Sequence, residues 1–276
     1  MTAPKLTLII SFYNKIEWLL LILKALEKQS FREFEVIVAD DGSKPEVVEA
    51  LKAYIRQSPL EISHIWQEDV GFRKVIILNE ALRQSRSEYL VFIDGDCVPH
   101  PHFIKEHYQN REKKVMLAGR RVDLSEKMTR KITQESISQN YLVKRIYLDL
   151  LWDGIFGATR HVIKSFYMRP GRLRKYLNRK DTGLLGCNFS LFKEDLEAIN
   201  GFDERYLAPA VGEDTDIEYR LRWNGVRLKT VKNMAIQYHL YHAKLKRQSA
   251  NLSIFEEVKK SKTIVTPFGL KKLAFD

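Results

Sequence analysis

The apolar run Tyr89-Leu-Val-Phe-Ile93 stops at Asp94-Gly-Asp96, two aspartates one glycine apart. Two unpartnered carboxylates at a strand end raise each other's pKa, and desolvation adds to that cost. A divalent cation removes it, and carboxylate oxygens are hard ligands suited to Mg²⁺ or Mn²⁺. Gly95 has no Cβ, so the backbone there can turn sharply or approach a ligand. A metal held by one or two carboxylates keeps open positions that phosphate oxygens can fill. The chemistry suggested is a metal that grips a diphosphate. Taken alone, the triplet is equally a strand-end turn carrying surface acids.

Three further groups bear on that choice. Asp40-Asp41-Gly42-Ser43 closes a second apolar run. An aspartate there can accept from a nucleobase N–H or a ribose hydroxyl, although the same residues make a good turn and helix N-cap. Gly212-Glu213-Asp214-Thr215-Asp216 places three acids at an expected helix start, where the helix dipole favours them. A general base needs an ionised carboxylate on a rigid element, and Asp214 is the candidate. In Tyr238-His239-Leu-Tyr-His242, one imidazole near Asp96 would complete a mixed N/O metal site. Histidines three apart do not face alike on a strand, so both need not be ligands; either is otherwise a packed or surface residue.

The elements that position these groups alternate. Strands are expected over Leu6–Ile10, Phe34–Ala39, Glu61–Gln67 and Tyr89–Ile93, and helices over Ile16–Gln29, Pro45–Arg56 and Lys74–Ser85. Such alternation argues for a mostly parallel sheet flanked by helices. Ligands of such sheets sit at the carboxyl ends of the strands, where both aspartate pairs fall. Later elements are a strand within Gly183–Phe192, helices over Lys193–Ile199 and Glu213–Trp223, and strands over Val226–Val231 and Met234–Tyr238.

Between these halves the chain changes character. Residues 125–180 lack strand patterning and read as helices with loops. From Arg130 to Lys180 twelve bases face three acids, with Tyr, Trp and Phe interleaved, so most of the net charge of +11 sits in one segment. That composition suits an anionic membrane surface or an acidic acceptor; single-stranded nucleic acid is the competing partner, but no nucleic-acid motif is present and none is expected. The organisation expected is a nucleotide-binding half at 1–122, a basic helical insertion at 123–182, a catalytic and acceptor half at 183–243 and a partly helical tail at 244–276. Cys97 and Cys187 match no metal spacing. No secretory signal opens the sequence, and Trp18–Leu23 is too short to span a bilayer. A cytoplasmic protein, soluble or peripheral on the inner membrane face, is expected.

Taken together, the motifs resemble a family 2 glycosyltransferase of the GT-A, Rossmann-like fold. The matching pieces are Leu8-Ile-Ile-Ser-Phe-Tyr-Asn14, Phe34-Glu-Val-Ile-Val-Ala-Asp-Asp-Gly-Ser43, Gly71-Phe-Arg73, Asn79-Glu-Ala-Leu82 and Phe92-Ile-Asp-Gly-Asp96. Gly186-Cys-Asn-Phe-Ser190, Asn200-Gly-Phe-Asp203 and Gly212-Glu-Asp214 resemble a galactosyltransferase-like C-terminal region, also seen in bacterial chondroitin-type polymerases. The resemblance implies inverting transfer from a nucleotide-diphosphate sugar, most often a UDP-sugar, to a hydroxyl of a glycan or lipid-linked saccharide. It implies that Asp41, with Asp40 beside it, contacts the base, that Phe12, Tyr13 and Asn14 line the nucleotide pocket, and that Arg73 lies close to it. Asp94 would face ribose or metal beside Gly95, and Asp96 would ligate Mn²⁺ or Mg²⁺ with His239, His242 being the substitute. Asp214 would deprotonate the acceptor, and Glu213 would hold donor or acceptor hydroxyls.

Ser11 stands where relatives usually carry Pro, and Ala210-Val211-Gly212 where many carry Trp-Gly before the Glu-Asp pair. A sugar-activating nucleotidyltransferase is the alternative enzyme, but it usually needs a glycine-rich phosphate loop, and Leu8–Asn14 has no glycine.

Overall fold

A computed structural model describes residues 3–168, 171–172, 176, 183–209, 212–243 and 250–272. Outside the described residues lie five of the bases expected in the insertion (Arg169, Arg174, Lys175, Arg179 and Lys180), the Ala210-Val211 departure and the start of the tail.

The first half alternates as expected: β1 (Leu6–Phe12), α1 (Ile16–Leu26), β2 (Phe34–Asp40), α2 (Pro45–Ile55), β3 (Ile62–Trp66), α3 (Lys74–Gln84) and β4 (Tyr89–Asp94). There follow β5 (Cys97–Pro99), α4 (Phe103–Asn110), β6 (Val115–Ala118) and β7 (Arg120–Asp123). The insertion forms α5 (Glu126–Lys131), α6 (Gln134–Ser138), α7 (Tyr141–Lys144), α8 (Ile146–Phe156) and a 3₁₀ turn at Val162–Ser165. The remainder is β8 (Asn188–Phe192), α9 (Lys193–Ala198), α10 (Glu213–Trp223), β9 (Arg227–Thr230), β10 (Ile236–His239) and α11 (Leu252–Ser261).

The main sheet has seven strands in the order β3-β2-β1-β4-β8-β6-β9. β1 to β4 are mutually parallel and β8 alone runs antiparallel to its neighbours. β1 shows why this sheet must be covered on both faces. Leu6, Leu8 and Ile10 pack with Leu19, Ile22, Leu23 and Leu26 of α1, whereas Ile9 points the other way, into the core beneath α3, α9 and α10. Strands buried on both faces read as unbroken apolar runs. α1 buries positions at i, i+3, i+4 and i+7, the stripe of a one-faced helix.

A second sheet of three strands, β5-β10-β7, was not expected as a unit. Its strands are three or four residues long, too short for period-two patterning to show. Its register places Cys97 opposite His239 and His239 beside Asp123, which decides the geometry of the site.

Candidate active site

The carboxyl ends of β1, β2 and β4 form one edge. Asp94 lies in register with Ser11, whose hydroxyl donates to Asp94 Oδ1 at 2.8 Å. Gly95 N–H donates to the Ser11 carbonyl at 2.8 Å. A Cβ at Gly95 would lie 2.9 Å from that carbonyl oxygen and 3.3 Å from the Phe12 ring, so glycine is required there by close approach.

One residue later the chain enters the second sheet. Asp96 Oδ2 stands 3.3 Å from His239 Nε2 and 3.2 Å from His242 Nε2. The two imidazoles are 3.2 Å apart at their Nε2 atoms, and the three potential ligand atoms lie within 4.8 Å of one another. β10 ends at His239, and the irregular chain after it brings His242 to the same point; the rule that strand residues three apart face differently stops applying there. The other nitrogen of His239, Nδ1, faces Asp123 Oδ1 at 3.6 Å. A carboxylate behind a histidine is the usual way a ligand ring is oriented. Burial acts to raise the Asp96 pKa, but hydrogen bonds from both histidines overcome it and hold the carboxyl well below its ordinary range. The same Asp96 contact raises His242, against burial.

Glu213 and Asp214 open α10 behind Gly212, whose φ of +107° is one that side chains rarely adopt. Asp214 Oδ2 accepts the Gly186 N–H at 2.7 Å. Lys74, the first residue of α3, pairs with Asp94 Oδ1 at 2.8 Å. Ser11, Lys74, Asp94, Gly186, Glu213 and Asp214 line one cavity. Burial and the neighbouring Asp214 push Glu213 up to about 7, with Lys74 opposing. Asp214 is raised by burial, against the pull of Lys74 and the Gly186 N–H. Lys74 itself is raised: burial works against its charge, but Asp94, Glu213 and Asp214 together outweigh it.

The third group is the β2 edge. Asp41 is 8% exposed; its Oδ2 accepts the Arg73 backbone N–H at 2.8 Å and its Oδ1 the Gln67 amide at 2.5 Å. Burial raises its pKa, against those donors. Tyr13 is half exposed and donates to Asp69 at 2.9 Å. Asn14, at φ +56°, stitches the loop after β1 to the loop after β2 through the Ser43 hydroxyl and the Lys44 N–H.

Two residues expected at the nucleotide stand elsewhere. Asp40 is fully buried; Oδ1 accepts Ser43 N–H at 2.8 Å and Oδ2 faces His64 at 2.9 Å. It holds the turn from behind, and its complete burial keeps it away from a bound base. Phe12 is 4% exposed and belongs to the core under α1; its ring backs Gly95 and does not line an open pocket. Arg73 lies by the Asp41 turn, its guanidinium donating to the Glu68 carbonyl at 3.0 Å. Asp216, the third acid of the α10 start, is buried against Arg220 at 2.6 Å, and Arg220 also donates to the Ile199 and Gly201 carbonyls.

Sequence reasoning passed over Lys74, Asp123 and Gly186 as site residues. Lys74 had one available signal: it is the helix start directly after Gly71-Phe-Arg73, at the ligand edge of the sheet.

The sequence model of glycosyl transferase family 2 matches residues 7–197. The chain belongs to that family. A second model, described as the N-terminal domain of galactosyltransferase, matches residues 174–243, the stretch that carries Gly186, Glu213, Asp214, His239 and His242. Relatives of this family 2 chain include a chondroitin synthase of Escherichia coli, 27% identical over 85% of this chain and 34% of the relative. A chondroitin synthase of Pasteurella multocida is 25% identical over 85% of this chain and 24% of its own length. The chain thus spans about a third or less of these relatives. Among solved structures, the mannosyltransferase PcManGT from Pyrobaculum calidifontis, in complex with GDP-Man and Mn²⁺, covers 96% of this chain and 63% of its own at TM-score 0.56 and 17% identity. S. aureus TarS 1-349 in complex with UDP covers 85% of this chain and 60% of its own at TM-score 0.52 and 19% identity. These likenesses carry the fold, a GT-A-type mixed sheet.

Proposed function

We propose that this chain transfers a sugar, with inversion, from a nucleotide-diphosphate donor, most simply a UDP-sugar, to a hydroxyl of a saccharide acceptor in cell-surface polysaccharide synthesis. The observation that carries the reading is convergence: Asp94 shares one cavity with Glu213 and Asp214, while Asp96, two residues on, meets His239 and His242. One surface carboxylate cluster is commonplace; a carboxylate–imidazole cluster adjoining a carboxylate–lysine cavity is a divided site with two roles.

The donor set fits a divalent cation. Asp96 supplies a hard oxygen and the histidines imidazole nitrogens, a mixed N/O set for a divalent metal ion such as Mn²⁺, and Asp123 backs His239 as an orienting carboxylate. Asp96, His239 and His242 would hold the ion, with Asp94 alongside. When bound, such an ion stabilises negative charge growing on a departing diphosphate.

The remaining chemistry belongs to the chain itself. Asp41, clamped by the Arg73 N–H and Gln67, and Tyr13 with Asn14 define the nucleotide end, where the exposed Tyr13 ring offers a stacking face. Asp214 takes the acceptor proton: it sits at a helix N-terminus, fixed by the Gly186 N–H, and burial raises its pKa while Lys74 pulls the other way. A base whose pKa is lifted toward the working pH is a better proton acceptor than an ordinary aspartate. Glu213, titrating near 7, can donate to or accept from a sugar hydroxyl. The relatives' names favour a glycan acceptor: two are chondroitin synthases. The buried free thiols Cys97 and Cys187 accord with a reducing, cytoplasmic setting.

The test is a panel of nucleotide-sugars and nucleoside triphosphates, each with Mn²⁺, read by thermal stabilisation. A ligand at a hundred times its Kd adds about 2.7 kcal/mol. Stabilisation by a nucleotide-sugar and not by triphosphates supports transfer; stabilisation by triphosphates with sugar phosphates would replace it with nucleotidyl transfer.

A further inference from the structure

The insertion presents an apolar face that the transfer site does not use. Leu148, Trp152, Ile155 and Phe156 recur at i, i+4, i+7 and i+8 on α8, each between 64% and 73% exposed, and Ile163 beyond the helix is 75% exposed. The opposite side of the same helix buries Ile146 and Leu150 in the core. α8 is therefore apolar on both sides, with a partner among the described residues on only one. Isolated exposed apolar residues are ordinary, but a contiguous face of large ones marks an interaction surface. The Trp152 and Phe156 rings lie against each other, tilted by 46°, with centroids 4.5 Å apart.

The face sits on a fixed platform. Asp153 accepts from the Thr159 hydroxyl at 2.6 Å and backbone N–H at 3.2 Å, and that hydroxyl accepts the Ser125 N–H at 3.0 Å. The loop after α8 is thereby tied to the start of α5.

Charge selects the occupant. Exposed Lys144 and Arg145 directly precede α8, and exposed Arg160 and half-buried Lys164 follow it. The two acids of α8 are already engaged: Asp149 by Lys131 and Tyr141, Asp153 by Thr159. A second copy docking face to face would gather eight bases, four from each copy, around one apolar contact with no free acid of α8 to offset them. An anionic bilayer would neutralise them while its acyl boundary takes the aromatic and aliphatic side chains, as for interfacial helices in general.

We propose that α8 and the 3₁₀ turn lie on an anionic membrane surface, with Trp152, Ile155, Phe156 and Ile163 inserted and Lys144, Arg145, Arg160 and Lys164 at headgroup level. Among the described residues no helix is long and apolar enough to cross a membrane, so the contact is peripheral. Its position matters for the site. Arg160 exchanges both backbone hydrogen bonds with Asp123, at 2.8 and 3.2 Å, and the Asp123 carboxylate faces His239. A hydroxyl carried on a lipid would thus be presented beside the Asp96 cluster. That last consequence rests on the transfer reading; the membrane contact does not.

The experiment is co-sedimentation with phosphatidylcholine vesicles, with and without phosphatidylglycerol, at low and high salt. The chain should sediment with the anionic vesicles, weakly with neutral ones, and less at high salt. Ile155→Ser/Phe156→Ser should lower vesicle affinity by about tenfold or more with an unchanged melting temperature. Lys144→Glu/Arg145→Glu should remove most of the salt-sensitive part. Vesicle binding needs no turnover, so it can fail while the enzyme works, or hold while the enzyme assignment fails. Absence of sedimentation with anionic vesicles at low salt overturns the proposal, as does binding unaffected by the apolar double substitution. A concentration-dependent dimer that the same double substitution abolishes would assign the face to a second copy instead.

Discussion

Gly186→Ala isolates the arrangement of the general base from the fold that carries it. Gly186 has no positive φ, so alanine is not excluded by the backbone. The obstacle is local: an added Cβ would lie 2.2 Å from Asp214 Oδ1 and 2.6 Å from its Cγ. The carboxylate is the far end of a short, rotatable side chain, so it swings aside and the main chain stays. What is lost is the 2.7 Å hydrogen bond from Gly186 N–H and the direction in which the carboxylate points. A hydrogen bond to a charged group contributes about 1.5–3 kcal/mol, which in a rate is about 10- to 100-fold. Losing that donor also raises Asp214 further, because the N–H favours the ionised form. The acid limb of the pH–rate profile should therefore move to higher pH. Melting temperature should change by no more than about a few degrees, and donor affinity, read by calorimetry, should be unchanged. Normal kcat in Gly186→Ala, with the substitution verified and the protein folded, would remove Asp214 from the role of base.

Asp214→Asn keeps the shape and removes the base; donor binding should persist while transfer falls by about 10²–10⁴-fold, measured as nucleotide-diphosphate release with acceptor. Glu213→Gln tests the raised carboxyl. Its folded pKa of about 7 lies above the unfolded value of about 4.3, so the native state binds the extra proton, and stability declines as pH rises through that window. Below it both states are protonated and Gln should change little; above pH 7, where Glu213 is forced to ionise, Gln should melt at higher temperature, and a stabilisation found only at acid pH would contradict the assignment. Asp216→Ala strands the fully buried Arg220 and should cost roughly 3–5 kcal/mol in denaturant unfolding; an unfolding midpoint equal to wild type would show that the pair is not structural.

The fold was legible where periodicity is strong. β1 to β4 and α1 to α3 lie within a few residues of their expected places because continuous apolar runs and one-faced helices have distinct patterns. The short strands β5, β6 and β7 carry too few residues to pattern, and the antiparallel setting of β8 is a tertiary choice: it slots between β4 and β6, which no local residue dictates. Site residues divide the same way. Strand-end acids and a helix start can be placed from sequence. That Asp40 turns inward while Asp41 stays at the edge cannot, since adjacent aspartates are chemically alike and only the pleat separates them. His242 was legible as a histidine but not as a partner of His239, because the irregular chain after β10 brings them together. Asn79, a residue of one of the family motifs, serves the architecture alone, its amide and carbonyl pinning both sides of Phe202 at 2.9 Å.

Asp96 with two histidines, and Asp214 in the cavity that Asp94 also lines, are proposed to be separate parts of one site that handles a metal–diphosphate. Titrating Mn²⁺ in the presence of UDP, by electron paramagnetic resonance of the free ion, addresses it directly. Wild-type protein and Asp214→Asn should take up Mn²⁺ alike, and Asp96→Asn should lose at least about a hundredfold in affinity, as expected for loss of a direct ligand rather than of an outer contact. Equal uptake by wild type and Asp96→Asn, or no uptake by either, would contradict it.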